Sequence, residues 1–270
     1  MKIALVQSAL AWGQVERNLE NFESKLSEPL GCDVVVLPEM FVSGCVMGKR
    51  PREEAVAEKA AVAACFGEVE ERMSVWAGRQ DAAVLGSTAV EKGGRFFNRL
   101  VVALPDGKRL YYDKRHCFRM GGESEHYSGG SRRLVFDFRG MRIAPFICYD
   151  LRFPVWSRNT EGYDLAVYVA NWPASRREVW NVLLRARAIE NQSFVAAVNC
   201  VGEDAGGLRY AGDSGLWDAR GQVVAAAREY EEGIVVADCD LEALREFRRK
   251  FPVLEDRDGF RLEGGCEDVF

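Results

Sequence analysis

The stretch Met141-Arg-Ile-Ala-Pro-Phe-Ile-Cys-Tyr-Asp-Leu-Arg-Phe-Pro154 decides how the rest of the chain is interpreted. It begins as an apolar, strand-like run that ends at Cys148, and the chain then turns polar at Tyr149 and Asp150. A thiol at the end of a strand, beside a turn that can present backbone N–H groups, is placed like a nucleophile. The sequence therefore predicts that Cys148 is a reactive cysteine.

Two other reactive side chains lie at similar strand ends. Glu39 closes the run Asp33-Val-Val-Val-Leu-Pro-Glu39, and Lys114 closes the run Arg109-Leu-Tyr-Tyr-Asp-Lys114. Both runs are rich in β-branched or aromatic residues, so we expect the three side chains to converge on one edge of a sheet. Glu39 can then take the thiol proton, Cys148 can attack a carbonyl carbon, and Lys114 can stabilise the resulting oxyanion. This chemistry is acyl transfer, and it needs no histidine.

Histidine and metal chemistry have few candidate residues. The two histidines, His116 and His126, leave a Cys–His hydrolase open as a weaker alternative. The eight cysteines, at positions 32, 45, 65, 117, 148, 200, 239 and 266, contain no C-x-x-C pair, and His116 beside Cys117 does not have the spacing of a zinc site. We therefore predict neither a metal nor a cofactor.

Charge and hydropathy exclude several classes of partner. With 36 basic and 41 acidic residues the formal net charge is −5, which gives no electrostatic footprint for nucleic acid or for an anionic membrane. No uninterrupted apolar stretch reaches the roughly 18 residues that a membrane-spanning helix needs. We expect a small-molecule substrate, with neither nucleic acid nor a membrane as a partner.

The length and texture of the chain indicate one domain. Its 270 residues contain no evident linker, low-complexity tract or internal repeat, so we predict a core over residues 1–252 and a C-terminal tail over residues 253–270. The scattered cysteines are typical of reduced thiols rather than of a disulfide framework. The predicted location is the cytoplasm.

Alternating strand and helix patterns predict an α/β domain. The opening is β-α-β, a long helix is expected over residues 52–77, and hairpins are expected over residues 96–113 and 134–147. Further strands surround a helix predicted over residues 175–191, and the last helix is predicted over residues 241–250. Strands mixed with helices of this size indicate stacked layers of sheet and helix.

Three motifs resemble the catalytic motifs of the nitrilase superfamily of carbon–nitrogen hydrolases, in their order and rough separation: Leu37-Pro38-Glu39, Tyr112-Asp-Lys-Arg-His116 and Ile147-Cys-Tyr-Asp-Leu-Arg-Phe-Pro154. The resemblance covers nearly the whole chain, because it continues through Asn171-Trp172-Pro173, residues 186–192, Gly212-Asp213-Ser214 and residues 244–252. Within the superfamily, residues 113–127 and 150–158 look most like the bacterial omega-amidases.

The resemblance implies a fold and an activity. The fold is an α-β-β-α sandwich, two mixed sheets flanked by helices, commonly assembled as a homodimer or higher homo-oligomer. The activity is hydrolysis of the terminal amide of a short dicarboxylic acid monoamide, such as 2-oxoglutaramate, to the acid and ammonia through a cysteine thioester. Another substrate of the same chemistry (a nitrile, an N-carbamoyl compound or a different amide), acyl transfer to an amine, and a non-catalytic scaffold stay open.

The motif match also implies roles for the reactive residues. Cys148 is the nucleophile, Glu39 the base, and Lys114 an oxyanion donor together with the backbone N–H of Tyr149. Glu123 aligns with a second carboxylate that some members place near the catalytic lysine. Glu125, two residues further on, is the alternative for that position.

Besides Tyr149, four residues are candidates for substrate binding. Arg152 and Arg176 are candidates for gripping the distal carboxylate, because a guanidinium pairs bidentately with that group. Arg152 has a structural alternative, an ion pair with Asp150 or another acid. Trp172 and Phe118 are candidates for the pocket wall, although aromatic residues are more often part of the core.

Overall fold

Two six-stranded mixed sheets form the centre of the structure, a computed structural model that describes residues 1–45, 52–260 and 262. The first sheet has the order β14-β1-β2-β3-β4-β5. Its strands are β1 (Lys2–Gln7), β2 (Val34–Val36), β3 (Ala83–Lys92), β4 (Arg95–Ala103), β5 (Arg109–Asp113) and β14 (Gly233–Asp238). Strands β1, β2 and β3 are parallel to one another, and the remaining pairs are antiparallel.

The second sheet has the order β13-β12-β9-β8-β7-β6. Its strands are β6 (Phe136–Phe138), β7 (Met141–Ile147), β8 (Leu165–Ala170), β9 (Phe194–Asn199), β12 (Gly215–Trp217) and β13 (Val223–Ala226). Strands β7, β8 and β9 are parallel, and the outer pairs are antiparallel. A separate two-stranded hairpin consists of β10 (Val201–Glu203) and β11 (Arg209–Ala211).

Six helices complete the described part of the chain: α1 (Val15–Lys25), α2 (Arg52–Ala64), α3 (Phe66–Gln80), α4 (Glu123–His126), α5 (Arg177–Asn191) and α6 (Leu241–Lys250). Helices α1 and α3 bury side chains against the first sheet, and α5 and α6 bury theirs in the core of the second. The predicted α-β-β-α sandwich is therefore confirmed. Within the described ranges, none of the helices has the length and apolar character that a membrane crossing requires.

The strand β1 shows how the sequence separates the layers. Ile3 and Leu5 belong to the apolar cluster shared with the second sheet, whereas Ala4 and Val6 belong to the cluster that contains Phe22 of α1. Successive side chains of a strand point to opposite faces, so a continuous apolar run can bury both faces of a central strand. The strand runs near Glu39 and Cys148 are apolar for the same reason.

The helix predicted over residues 52–77 is wrong in one respect, since the structure has two helices there. The backbone N–H of Cys65 donates to the Val62 carbonyl oxygen at 3.1 Å, a tight turn that ends α2. The apolar pattern continues across this break, which is why the sequence indicated a single helix.

The C-terminal segment is described only in part. A short 3-10 turn over Val253–Asp256 follows α6, and residues 261 and 263–270 lie outside the described part of the chain. The division into a core over residues 1–252 and a tail over residues 253–270 stays a prediction.

Candidate active site

Glu39, Lys114 and Cys148 meet in one cleft between the ends of the two sheets. Glu39 follows β2, Lys114 follows β5, and Cys148 follows β7. The Lys114 Nζ donates to Glu39 Oε1 at 2.8 Å, and the Cys148 thiol lies near enough to the Glu39 carboxylate for that charge to raise the pKa of the thiol. The expected convergence of the three strand ends is present, although it joins two sheets rather than the edge of one.

The Glu39 carboxylate is buried and fixed through both of its oxygens. Its Oε1 accepts from Asn98 Nδ2 at 2.8 Å as well as from Lys114, and its Oε2 accepts from the backbone N–H of Asn171 at 2.8 Å. The Asn171 side chain also donates to the Glu39 carbonyl oxygen at 2.7 Å. Because Asn98 belongs to the first sheet and Asn171 follows β8 of the second, Glu39 ties the two sheets together at the cleft.

Glu123 is the second carboxylate on Lys114. It begins α4, it is fully buried, and both of its oxygens lie 2.9 Å from Lys114 Nζ. The backbone N–H of Phe118 donates to Glu123 Oε2 at 2.6 Å. Glu125 is exposed on the same short helix. The geometry therefore assigns the lysine contact to Glu123 rather than to Glu125.

Burial and neighbouring charges shift the pKa values of Lys114 and Glu123. Burial alone would lower the pKa of Lys114, but the charges of Glu123 and Glu39 outweigh it and hold that pKa well above the ordinary value. Burial, together with the nearby Glu39 charge, raises the pKa of Glu123 against the opposing effect of Lys114. The Lys114 ammonium is therefore charged at neutral pH.

The Cys148 thiol is protonated at rest. Burial raises its pKa well above the ordinary value, and the negative charge of Glu39 raises it further. A neutral thiol is a weak nucleophile, so it needs a base at the moment of attack. Glu39, whose carboxylate lines the same cleft, is placed to supply that base.

The backbone turns sharply at Cys148 and at Met40, the residue directly after Glu39. Cys148 has a φ of 43° and Met40, directly after Glu39, has a φ of 47°. Both values lie in the left-handed region, which costs a residue with a side chain roughly 1–2 kcal/mol. The cleft lies where the chain leaves β7 through a 3-10 turn over Cys148–Arg152 and leaves β2 through Leu37 and Pro38. The turns aim the thiol and the carboxylate into the same space.

The cleft has a volume of about 370 Å³, including its open mouth. All five residues that the sequence proposed for substrate binding line it: Phe118, Tyr149, Arg152, Trp172 and Arg176. The Arg152 guanidinium carbon lies 4.9 Å from the ring centre of Trp172, and that of Arg176 lies 5.2 Å from the ring centre of Phe118. Their roles in binding stay predictions, since the geometry gives only their placement.

Arg152 is not paired with Asp150. Neither Arg152 nor Arg176 has an acidic side chain within ion-pair distance among the residues that the structure describes. Arg177, one residue after Arg176, pairs with Asp213 at 2.6 Å. The two cleft arginines therefore carry positive charges that the described protein does not neutralise.

Several residues of the site had no clear signal in the sequence. Asn98 and Asn171 hold Glu39, and Cys45 lines the cleft beside Cys148. Their short polar or thiol side chains are common in ordinary loops and strands, so only the folded arrangement brings out their role. Asn171 lies next to Trp172 in a motif that the sequence analysis did quote, and that adjacency was the one available clue.

Glu39, Cys45 and Glu123 are close enough to hold a metal ion, since their ligand atoms lie within 4.8 Å of one another. The Lys114 ammonium already lies within 2.9 Å of both carboxylates. It therefore supplies the positive charge that a cation would bring to this cluster. The absence of a metal stays a prediction of the sequence.

The Cys–His alternative loses its geometric basis. Neither His116 nor His126 is among the described residues that line the cleft of Cys148. The His116 Nδ1 is instead 2.8 Å from the Asp150 carboxylate, and its ring stacks on Phe153. The base next to the thiol is a carboxylate.

Comparison with known proteins gives a consistent result over nearly the whole chain. The model of the carbon-nitrogen hydrolase family matches residues 2–249. The chain is 44% identical to the Omega-amidase YafV of Escherichia coli (strain K12), over 97% of this chain and 98% of that protein. It is 34% identical to the 2-oxoglutaramate amidase of Bacillus subtilis (strain 168), over 94% of this chain and 96% of that protein.

A solved structure agrees with these sequence matches. The crystal structure of a CN-hydrolase superfamily protein from Xanthomonas campestris superposes with a TM-score of 0.90. The two chains are 41% identical, and the match covers 97% of this chain and 98% of the other. The two proteins are therefore similar in sequence and in fold over nearly their full length.

Proposed function

Because the chain belongs to the carbon–nitrogen hydrolase family, we propose that it hydrolyses the terminal amide of a short dicarboxylic acid monoamide of the 2-oxoglutaramate type, with release of ammonia. The chain is an omega-amidase-like enzyme, an amide hydrolase of the nitrilase kind. The observation that carries the finer proposal is the pair of guanidinium groups in the cleft of Cys148, Arg152 and Arg176, neither of which has an acidic partner among the described residues.

The charge of the cleft favours a substrate with a free carboxylate. Trp172 and Phe118 hold the two guanidinium groups by cation–π contact, which stabilises a cation without neutralising it. A carboxylate is the group that a guanidinium binds bidentately. A short acid with an amide at its far end would place the amide at Cys148 while its carboxylate pairs with an arginine. A relative named 2-oxoglutaramate amidase supports the same substrate class.

In the first half of the proposed reaction, Cys148 forms a bond to the amide carbon. Glu39 takes the thiol proton as the sulfur attacks, and the carbonyl oxygen becomes an oxyanion. Lys114 and the backbone N–H of Tyr149 donate to that oxyanion. Glu39 then returns the proton to the nitrogen, the carbon–nitrogen bond breaks, and ammonia leaves a thioester on Cys148.

In the second half, water replaces the sulfur. Glu39 takes a proton from the attacking water, the second tetrahedral intermediate collapses, and the carbon–sulfur bond breaks. The proton returns to the Cys148 sulfur, so the thiol is restored and the dicarboxylic acid is released. Glu123, paired with Lys114, keeps the ammonium in place through both halves.

The proposal is tested by ammonia release from a panel of four substrates. Purified protein is offered 2-oxoglutaramate, glutamine, a short nitrile and an N-carbamoyl amino acid at equal concentrations. We expect release from 2-oxoglutaramate at a rate well above the other three. No release from 2-oxoglutaramate would overturn the proposed substrate. Added hydroxylamine distinguishes acyl transfer from hydrolysis, because transfer to an amine would yield a hydroxamate.

We also propose that the protein assembles as a homodimer. Val182 and Ile189 of α5 are 62% and 48% exposed, and Val223 of β13, which lines the same groove, is 51% exposed. This apolar surface of the second layer is suited to burial against a second copy. Sedimentation of the purified protein measures the oligomeric state, and a monomer at micromolar concentration would contradict the proposal.

The proposed location is the cytoplasm. All seven cysteines in the described ranges, Cys32, Cys45, Cys65, Cys117, Cys148, Cys200 and Cys239, are free thiols, and Cys266 lies outside those ranges. Free thiols are the usual state of cysteine in a reducing compartment. Fractionation of cells that express the protein tests this location.

A further inference from the structure

Asp150 is a fully buried carboxylate that does not line the cleft. Its Oδ2 accepts from the Tyr112 hydroxyl at 2.6 Å and from the backbone N–H of Ile147 at 3.1 Å. Its Oδ1 accepts from the backbone N–H of His116 at 3.0 Å and lies 2.8 Å from His116 Nδ1. Since an ionised carboxylate can only accept, His116 Nδ1 carries the proton in that contact.

The donors to Asp150 come from the chain on either side of the reactive residues. Tyr112 and His116 lie two residues before and two residues after Lys114, and Ile147 lies directly before Cys148. One carboxylate therefore joins the end of β5, which carries the lysine, to the turn after β7, which carries the thiol. These two segments belong to different sheets.

Packing leaves this network little freedom. Trp156 Nε1 donates to the Tyr112 hydroxyl at 2.9 Å, so the hydroxyl is held from both sides. The His116 ring stacks on Phe153, with 3.7 Å between the ring centres. A buried network in which each member has its partners rigidifies its surroundings, and the loss of one partner is expensive.

We propose that Asp150 is a positioning residue that sets the separation between the Lys114 ammonium and the Cys148 thiol. It acts through Tyr112, His116 and Ile147 and touches no reacting atom. The inference rests on the proposed role of Cys148 as the nucleophile. An oxyanion donor works only when it lies where the charge develops, and misplacement by about 1 Å can cost on the order of 100-fold in rate.

The first test compares Asp150→Asn with Asp137→Asn, a matched change at an exposed residue of β6. In Asp150→Asn an amide NH2 replaces one carboxylate oxygen, so the donors on that side lose their acceptor. We expect kcat for 2-oxoglutaramate to fall on the order of 100-fold, with KM close to the wild-type value, because Asp150 does not itself line the cleft. Asp137→Asn should keep both constants. Thermal unfolding of each variant establishes that the assay is run on folded protein.

The second test uses His116 and needs no change at Asp150. His116→Asn places an amide N–H near the position of Nδ1, whereas His116→Leu has nearly the same shape and no donor. Both lose the stacking on Phe153, so the loss of ring packing by itself predicts equal losses of kcat. We expect kcat of His116→Asn to exceed that of His116→Leu by about 10–100-fold, the value of one hydrogen bond to a charged group.

The inference is overturned by wild-type kcat in a folded Asp150→Asn, by a rise of KM at constant kcat, or by equal kcat in the two His116 variants. If Asp150→Asn does not fold, the His116 pair decides. Retention of full hydrolysis by Cys148→Ala would instead overturn the proposed function. An inactive Cys148→Ala together with a fully active Asp150→Asn would overturn only the positioning role.

Discussion

The cleft has two charged regions that differ in whether their charges are already paired. Around Cys148, the charges of Glu39, Glu123 and Lys114 satisfy one another at 2.8–2.9 Å. At the binding wall, formed by Arg152, Arg176, Trp172 and Phe118, the two guanidinium groups lie over aromatic rings and have no acidic partner among the described residues. Under the proposed mechanism, the reacting groups are therefore preorganised before the substrate arrives, whereas the proposed binding groups are completed by the charge of the substrate.

The two regions should also respond differently to substitution. Removal of one partner from a buried ion pair leaves an uncompensated charge and typically costs about 3–5 kcal/mol of stability. An arginine whose charge has no partner leaves no such charge behind when it is replaced. Changes in the paired region should therefore affect both rate and stability, and changes at the binding wall should affect substrate binding alone.

The largest expected effect is that of Glu39→Gln. The amide keeps nearly the shape of the carboxylate but cannot accept the thiol proton, so both halves of the reaction lose their base. We expect kcat to fall by at least about 1,000-fold, within the usual range for a general base. The matched control is Glu125→Gln at an exposed position, which should keep wild-type kcat. Ammonia release at saturating 2-oxoglutaramate measures both, and an active Glu39→Gln would refute its role as the base.

The next effect in size is that of Lys114→Met. It tests the ion pairs of Lys114 with Glu39 and Glu123 through two quantities, kcat and the free energy of unfolding. Loss of an oxyanion donor should lower kcat by about 100–1,000-fold. Loss of the ammonium leaves Glu39 and Glu123 buried together, so the free energy of unfolding should fall by about 3–5 kcal/mol. Denaturant titration and steady-state kinetics measure the two quantities. Lys108→Met, at an exposed turn, is the control, and unchanged stability in Lys114→Met would contradict the paired arrangement.

Substitutions at the binding wall are expected to act on a smaller scale and on a different quantity. Arg152→Met or Arg176→Met should lower kcat/KM for 2-oxoglutaramate by about 10–100-fold, the value of a hydrogen bond to a charged group, with little change in the free energy of unfolding. A neutral amide such as butyramide lacks the carboxylate, so its slow hydrolysis should be the same in wild type and variants. Equal losses for both substrates would mean that the arginines do not recognise the carboxylate.

The smallest expected effect is on the pH dependence of stability. The folded protein holds the Cys148 proton to higher pH than the unfolded chain does, because burial and Glu39 raise the pKa of that thiol. Its contribution is therefore complete below the unfolded pKa, near 8.5, and declines above it by up to about 1.4 kcal/mol per pH unit. The free energy of unfolding should fall more steeply between pH 8.5 and 10 in wild type than in Cys148→Ser. Parallel curves would show that the folded thiol is not held neutral.

The sequence predicted the layers and the three reactive strand ends because both depend on local pattern. Apolar runs that end in Glu39, Lys114 and Cys148 are visible without any tertiary information. The break at Cys65 was missed because the apolar pattern continues through it. The hairpin of β10 and β11 was missed because each strand has only three residues, too few for a period to be seen.

The supporting residues of the site could not be predicted in the same way. Asn98 and Asn171 are far apart in the chain, and the fold brings both of them to Glu39. Their shared role as donors to the Glu39 carboxylate is therefore not visible in the sequence. Glu123 and Glu125 are equivalent in sequence pattern, and the backbone of the short helix α4 decides which one is buried. That Arg152 has no acidic partner within the described ranges is likewise a tertiary property, since Asp150 lies only two residues away in the chain.

The most direct measurement is mass spectrometry of the Cys148 peptide after acid quenching of the enzyme during turnover of 2-oxoglutaramate. The proposed mechanism predicts an acyl group, the substrate less ammonia, on the Cys148 sulfur, and predicts its loss when the quenched sample is treated with hydroxylamine. Cys148→Ser and substrate-free samples show the background. Continued ammonia release with Cys148 unmodified at every quench time, and undiminished release by Cys148→Ala, would contradict the role of Cys148 as the nucleophile.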